Sequence, residues 1–255
     1  MVDLRDPRVD DWPLMSSFWH SVFICAVYTF VVKILGPKLM ENREPFQIKG
    51  ILVVYNTLQT IFSLWMFSES WRLFVTGPYS WHCEPVDYSN GTEALRVLNL
   101  SWWYFFSKFI DQLDTIFFIA RKKFNQVSHL HVIHHGTLPF LTWWGPRFMG
   151  GGQTVFAPFL NSGVHTVMYL YYLLSSLGPN VQKYLWWKKY LTTLQLIQFV
   201  IIFFHALQPL FFDCNYPKAA SLLFAGTGLQ YFILFMIFYK STYGKPKTKS
   251  TSKSD

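Results

Sequence analysis

An all-α membrane protein with seven transmembrane helices is the fold class that three features of the sequence predict. Only 14% of the 255 residues are charged, against 51% hydrophobic and 20% aromatic, whereas a soluble domain carries roughly 25% charge. Apolar runs recur along the chain, each approaching the roughly 20 residues that a helix needs to cross a bilayer. The connections between them are short, which leaves no stretch able to fold as a soluble domain and places any chemistry in or beside the membrane.

The first run, 18–35, follows the head MVDLRDPRVDDWP, which is acidic and lacks a basic n-region with a cleavage site. The head therefore predicts no removable signal peptide, and the run serves as an anchor. The second run is 50–68. The third, 97–119, carries Lys108, Asp111, Asp114 and Thr115 at i, i+3, i+6 and i+7, a spacing that gathers them on one third of the helix circumference. The fourth, 128–147, holds HLHVIHH, in which His131, His134 and His135 are spaced for one face while His129 points partly away. On the fifth, 154–176, Asn161, His165, Met168, Tyr169 and Tyr172 align, with Asn161 one turn from His165 and placed to orient it. The sixth, 190–211, has a row of Thr192, Gln195 and Gln198, and the seventh is 217–239. No internal repeat is visible. Residues 1–240 read as one seven-helix domain and 241–255 as a polar, basic, disordered tail.

Lys and Arg accumulate in short cytoplasmic loops. Here one set of loops carries Lys38, Arg43 and Lys49, then Arg121, Lys122 and Lys123, then Lys183, Lys188 and Lys189, and finally Lys240, Lys245, Lys247, Lys249 and Lys253. The alternate set is poor in them: the head has Asp3, Asp6, Asp10 and Asp11 against Arg5 and Arg8, and the 69–96 loop has Glu69, Glu84, Asp87 and Glu93 against Arg72 and Arg96. The N-terminus is accordingly expected outside the cytosol and the C-terminus inside it, with the net charge of +8 gathered on the cytosolic face. Topology accounts for most single lysines in these clusters, and no motif supports nucleic-acid binding. On the same non-cytosolic side lie two of the three cysteines, Cys83 and Cys214, which could pair where oxidation is permitted. Two free thiols are the alternative. That side also bears the sequon Asn90-Gly91-Thr92, whereas the Asn99 sequon sits too close to the membrane.

Ionisable groups inside a span cost a few kcal/mol each, so several together require a reason. A row of Gln and Thr is more often interhelical glue, and Asp114 alone could be a structural partner of Lys108. Three histidines on one helix face opposite a Lys/Asp face point instead to chemistry. Membrane di-iron desaturases and hydroxylases need about three separated histidine boxes. This chain has one, and His20, His82, His165 and His205 are scattered singly. Nothing demands a metal, so imidazole is left as base or nucleophile. A desaturase or hydroxylase remains the rival enzyme. A seven-helix lipid receptor or transporter is the rival without catalysis, but it gives no reason for cationic clusters beside the histidine-bearing end.

In order along the chain, GPKLM at 36–40, PFQIK at 45–49 with YN at 55–56, KFIDQLDT at 108–115, HVIHH at 131–135, NSGVHTVMYLYY at 161–172, TTLQLIQ at 192–198 and FMIFYKSTY at 235–243 form a specific set. The sequence resembles the very-long-chain fatty acid elongases, 3-oxoacyl-CoA synthases of the endoplasmic reticulum membrane. Asp111 stands where that family commonly has Glu, and the tail has Lys253 third from its end but Thr251 fifth, departing from the family's dilysine retrieval signal.

The resemblance implies condensation of a long-chain acyl-CoA with malonyl-CoA, with an acyl tunnel between the helices and no cofactor or metal. His134 is expected as acyl-carrying nucleophile, His131 and His135 as its tautomer and proton partners, and His165 with Asn161 as stabiliser of the enolate or malonyl carboxylate. Lys108, Asp111 and Asp114 would orient the imidazoles. Tyr169, Tyr172, Gln195 and Gln198 would line the substrate path, and Arg121, Lys122, Lys123, Lys188 and Lys189 would meet the CoA phosphates. Saturated and monounsaturated chains are favoured over polyunsaturated ones. Expected associations are with a second copy and with the 3-oxoacyl-CoA reductase, 3-hydroxyacyl-CoA dehydratase and enoyl-CoA reductase of the same cycle.

Overall fold

A computed structural model of the protein describes residues 5–77 and 79–244. The tail lysines from Lys245 onward, with the dilysine departure, lie outside the described residues. The helices are α1 (Phe18–Phe30), α2 (Gly36–Met40), α3 (Lys49–Val75), α4 (Thr92–Ile110), α5 (Leu113–Ala120), α6 (His129–Thr142), α7 (Trp144–Phe148), α8 (Phe156–Ser176), α9 (Pro179–Gln182), α10 (Lys188–Leu207) and α11 (Lys218–Tyr243). A π turn at Val31–Leu35 joins α1 to α2 without a break. No strand is present among the described residues. Among the described residues, four stretches are long and apolar enough to cross a membrane: Phe18–Met40, Lys49–Val75, Lys188–Leu210 and Lys218–Tyr243.

Local chemistry explains the element ends. Ser17 and Ser128 cap α1 and α6, their hydroxyls accepting from the Trp19 and His131 amides. Pro139 sits inside α6. Lacking an N–H, it leaves the carbonyl of His135, four residues earlier, without its helical partner. The expected helix over 97–119 is instead interrupted: α4 stops at Ile110 and α5 starts at Leu113. Between them Asp114 N bonds to Asp111 O and Thr115 N to Gln112 O, tightening the chain from i→i+4 to i→i+3 bonding. The Ile110 carbonyl thereby freed accepts from the Tyr55 hydroxyl at 3.3 Å.

The expected loop over 69–96 is also shorter, because α3 continues to Val75 and α4 begins at Thr92. Charges assigned to that loop lie on the two helices and pair across them: Arg72 with Glu93 at 2.8 Å, and Arg96 with Glu69. The pairs are partly exposed and contribute little individually; their consequence is register between α3 and α4.

Alternating helices bring the loops to two ends. At the basic end, Lys49 Nζ donates to Leu177 O, Phe46 N to Ala120 O and Lys122 Nζ to Glu41 O. At the opposite end the N-terminal head is an integral cap. Val9 and Met15 are fully buried, the indole N–H groups of Trp102 and Trp143 donate to Pro13 O and Leu14 O, and buried Arg147 pairs with Asp10 at 2.6 Å. At this same end a disulfide joins Cys83 to Cys214, Cα atoms 5.8 Å apart. Gly152 adopts φ +59°, and a Cβ there would lie 2.8 Å from Glu84 O. The loop after α3 can rest on the turn before α8 only because that position is glycine.

Non-reducing digestion of protein matured in an oxidising compartment is expected to yield a Cys83–Cys214 cross-linked peptide, with Cys25 a free thiol. Loss of the bridge should cost on the order of 2–4 kcal/mol; recovery of both cysteines as separate alkylated thiols contradicts the fold at this end.

Candidate active site

The break between α4 and α5 organises the polar interior. Lys108 and Asp111 are 3% exposed, and their ion pair measures 3.0 Å. Away from water such a pair is stable only if its remaining donors and lone pairs are satisfied. Asp111 Oδ1 accepts from Gln59 Nε2 at 2.8 Å and from the Tyr169 hydroxyl at 2.9 Å. The same hydroxyl lies 3.1 Å from Asp114 Oδ2. Lys108 Nζ also donates to Asn161 Oδ1 at 3.3 Å and stands 4.5 Å from the Tyr104 ring centre. One network thus ties α3, α4, α5 and α8 together.

The histidines divide between two environments. Adjacent positions on a helix are about 100° apart, so His131 and His135 face one way and His134 another. His131 Nε2 is 2.9 Å from the Thr115 hydroxyl, which is itself 2.6 Å from the Tyr28 hydroxyl. The His131 and His135 rings are 4.3 Å apart. Gln112 Nε2 donates to the His135 carbonyl that Pro139 left open, at 3.1 Å, which anchors α6 to the α4–α5 break. His134 faces α11, its ring centre 4.8 Å from that of Tyr231 and 5.7 Å from that of Phe235. The expectation of three histidines on a single face gives way to a pair plus one.

A cavity of about 130 Å³ opens beside His134. It extends along α11 from Tyr231 to Ser221, ten residues or about 15 Å at helical rise. Its wall is largely hydrocarbon, with Leu138, Phe156, Phe199, Ile202 and Phe224 among the lining residues. A second cavity of about 10 Å³, the room of roughly one water, is bordered by Lys108, Asp111, Asn161 and His165. Tyr104 and Asn161 line both.

The remaining candidate residues occupy distinct surroundings. Asn161 does not orient His165: its Oδ1 is taken by Lys108 and by the Tyr104 hydroxyl at 3.1 Å. His165 faces Asp111 instead, Nδ1 to Oδ2 3.9 Å. Tyr169, Tyr172, Gln195 and Gln198 stand away from the cavity lining. Tyr169 is fully buried on the two aspartates, Tyr172 packs against it, and Gln195 Nε2 contacts Met168 Sδ at 3.5 Å. Gln198 is buried. Arg121, Lys122, Lys123, Lys188 and Lys189 share the basic end, where Lys123, Lys188 and Lys189 are exposed. Asn90 is exposed at the disulfide end. Among the described residues no three His, Cys, Asp or Glu side chains converge as metal ligands.

Comparison with known proteins shows the family. The model of the ELO family, described as the GNS1/SUR4 family, matches residues 13–251. The chain belongs to this family, the very long chain fatty acid elongases. It is 50% identical over 254 residues to a very long chain fatty acid elongase of Aedes aegypti, covering 98% of this chain and 70% of that protein. With very long chain fatty acid elongase 7 of Drosophila melanogaster it shares 50% identity over 247 residues, 96% of this chain and 75% of the relative. Very long chain fatty acid elongase 4 of Mus musculus is 44% identical over 251 residues, 98% and 80% of the two chains.

Gln59, Tyr104, Gln112, Tyr231 and Thr137 were not selected from sequence. The Tyr231 and Thr137 hydroxyls are 2.7 Å apart, and Thr137 donates to Ile133 O, so Tyr231 is the donor between them. Two signals were present in the elongase sequence: Pro139 four residues after His135, which needs a foreign donor, and Gln59 within an apolar run.

Lys108→Met leaves a buried, unpaired carboxylate and should destabilise the elongase by about 3–5 kcal/mol. Adding Asp111→Asn should restore most of that loss in thermal unfolding in detergent. Strictly additive destabilisation would show that the two side chains do not form the pair.

Proposed function

We propose that the protein condenses a long-chain acyl-CoA with malonyl-CoA, giving a 3-oxoacyl-CoA two carbons longer, CoA and carbon dioxide. One observation carries this reading: in an elongase-family chain, His134 stands in the wall of a long hydrocarbon cavity beside a buried Lys/Asp/Asn/His cluster. The cavity suits an acyl chain. The cluster suits the short, charged malonyl end.

In the proposed mechanism His134 attacks the acyl thioester. The C–S bond breaks, an N–acyl bond forms, and the imidazole proton leaves with CoA as its thiol. An acyl-imidazole keeps roughly the transfer potential of a thioester. Malonyl-CoA then loses carbon dioxide. The resulting enolate attacks the acyl carbon, releases the imidazole and restores its proton from the medium. Lys108, Asn161 and His165 stabilise the enolate oxygen or the departing carboxylate in a low-dielectric site. His131 and His135 help move the proton, while Asp111 and Asp114, fixed by Tyr169, orient the cluster. Tyr172, Gln195 and Gln198 support this arrangement from outside the cavity lining.

Arg121, Lys122, Lys123, Lys188 and Lys189 hold the CoA phosphates at the basic end. We place the bundle in the endoplasmic reticulum membrane as a single seven-span domain over residues 1–240 with a basic tail, the basic end cytosolic and the N-terminus with Asn90 lumenal and open to glycosylation. Neither cofactor nor metal takes part. Saturated and monounsaturated chains are the preferred substrates, and the partners are a second copy and the reductases and dehydratase that process the product.

Acyl-CoA alone should release CoA in an amount comparable to enzyme, and mass spectrometry should find the acyl group on His134. His134→Ala should abolish the release and lower turnover on the order of 10⁴-fold or more, while His165→Ala should impair condensation more than acylation. Competent enzyme that releases CoA only when malonyl-CoA is present would replace the covalent route by a single ternary complex. Chelation should leave turnover unchanged; loss of activity together with stoichiometric iron or zinc would favour metal chemistry.

A further inference from the structure

The end of the cavity farthest from His134 is tied to the disulfide from both of the bridged loops. Gln153 lines the cavity, and its backbone N donates to Glu84 O at 3.0 Å while its Oε1 accepts from Glu84 N at 3.1 Å. Glu84 follows Cys83 directly. Gly152, beside Gln153, is the position where any Cβ would strike the Glu84–Pro85 backbone. From the other loop, Tyr216 also lines the cavity, two residues beyond Cys214. Its ring is 5% exposed, its hydroxyl contacts Met149 Sδ at 3.5 Å, and Cys214 and Val86 pack against the same small cluster.

The polar atoms of both lining residues are already engaged. Gln153 Nε2 donates to His205 O at 2.7 Å and approaches Gln208 Oε1 at 3.2 Å. A hydrocarbon terminus reaching this end therefore need not desolvate them. Cys83 and Cys214 are 131 residues apart in sequence, so the two loops approach independently and the bridge fixes their separation.

We propose that Gln153 and Tyr216 form the stop at which an acyl chain ends, and that the Cys83–Cys214 bridge holds this stop in place and so sets the longest chain accepted. The inference rests on the reading of this cavity as the acyl site. Chain length would then depend on the redox state of two residues remote from the histidines, with no change to the reacting groups.

The test uses full-length protein in membranes, labelled malonyl-CoA and a ladder of saturated acyl-CoAs, reading the ratio of elongation rates on the longest and shortest chains. Tyr216→Ala should raise that ratio about tenfold, the scale of a methylene or two admitted to an apolar pocket, and should extend the longest product by at least one two-carbon round. The double variant Cys83→Ser with Cys214→Ser, or reduced wild-type protein should the variant not fold, should shift the ratio in the same direction. An unchanged ratio for Tyr216→Ala overturns the stop. A uniform rate loss at every length on breaking the bridge overturns the role of the disulfide. Wild-type protein inactive on the whole ladder would instead remove the acyl-site reading on which both depend.

Discussion

The buried Lys108–Asp111 pair is the constraint around which the rest of the bundle is arranged. Removing two charges from water costs several kcal/mol each, and their mutual attraction offsets this only with every remaining valence filled. The partners come from separate helices: Gln59 from α3, Tyr169 and Asn161 from α8, and Tyr104 from one turn earlier on α4. No single helix could supply this set. Satisfying the pair therefore fixes how α3, α4, α5 and α8 sit together, and α3 and α8 pack along one another for much of their length.

The same economy governs the histidine helix. Pro139 opens a backbone acceptor at His135, and Gln112 closes it from the α4–α5 break. The contact fixes α6 against the network, with His131 against Thr115 and His134 toward α11. An apolar cavity on the His134 side and a small polar one on the Lys108 side follow from that rotation, with Asn161 and Tyr104 between them. An imidazole, hydrocarbon space and buried charge thus meet at one place without sharing one face.

Much of this was legible in the chain itself. Low charge and long apolar runs require helices, because a backbone in hydrocarbon must satisfy its own hydrogen bonds. Spacing alone grouped Lys108, Asp111 and Asp114, and the side-chain contacts keep them together although the helix is interrupted between them. The motif order that resembles the elongases is matched by the family model over residues 13–251. The charges of 69–96 were misplaced because hydropathy marks where a run stops being apolar, whereas a helix continues until its backbone is capped or turned; Glu69, Arg72, Glu93 and Arg96 are helical and paired.

What the sequence by itself determined was the chemical inventory and its helical bookkeeping: which residues are costly in a membrane and which share a turn. The tertiary structure decided which of them meet. Asn161 is one turn from His165 yet bonds to Lys108, since a buried ammonium is the stronger claimant on a carbonyl oxygen. Tyr169 and Gln195 serve other side chains rather than the cavity, and the head buries Val9 and Met15 against helices more than eighty residues away. Periodicity reports angles within one helix. Contacts between helices depend on rotation and depth set by the whole packed interior, which no local window contains.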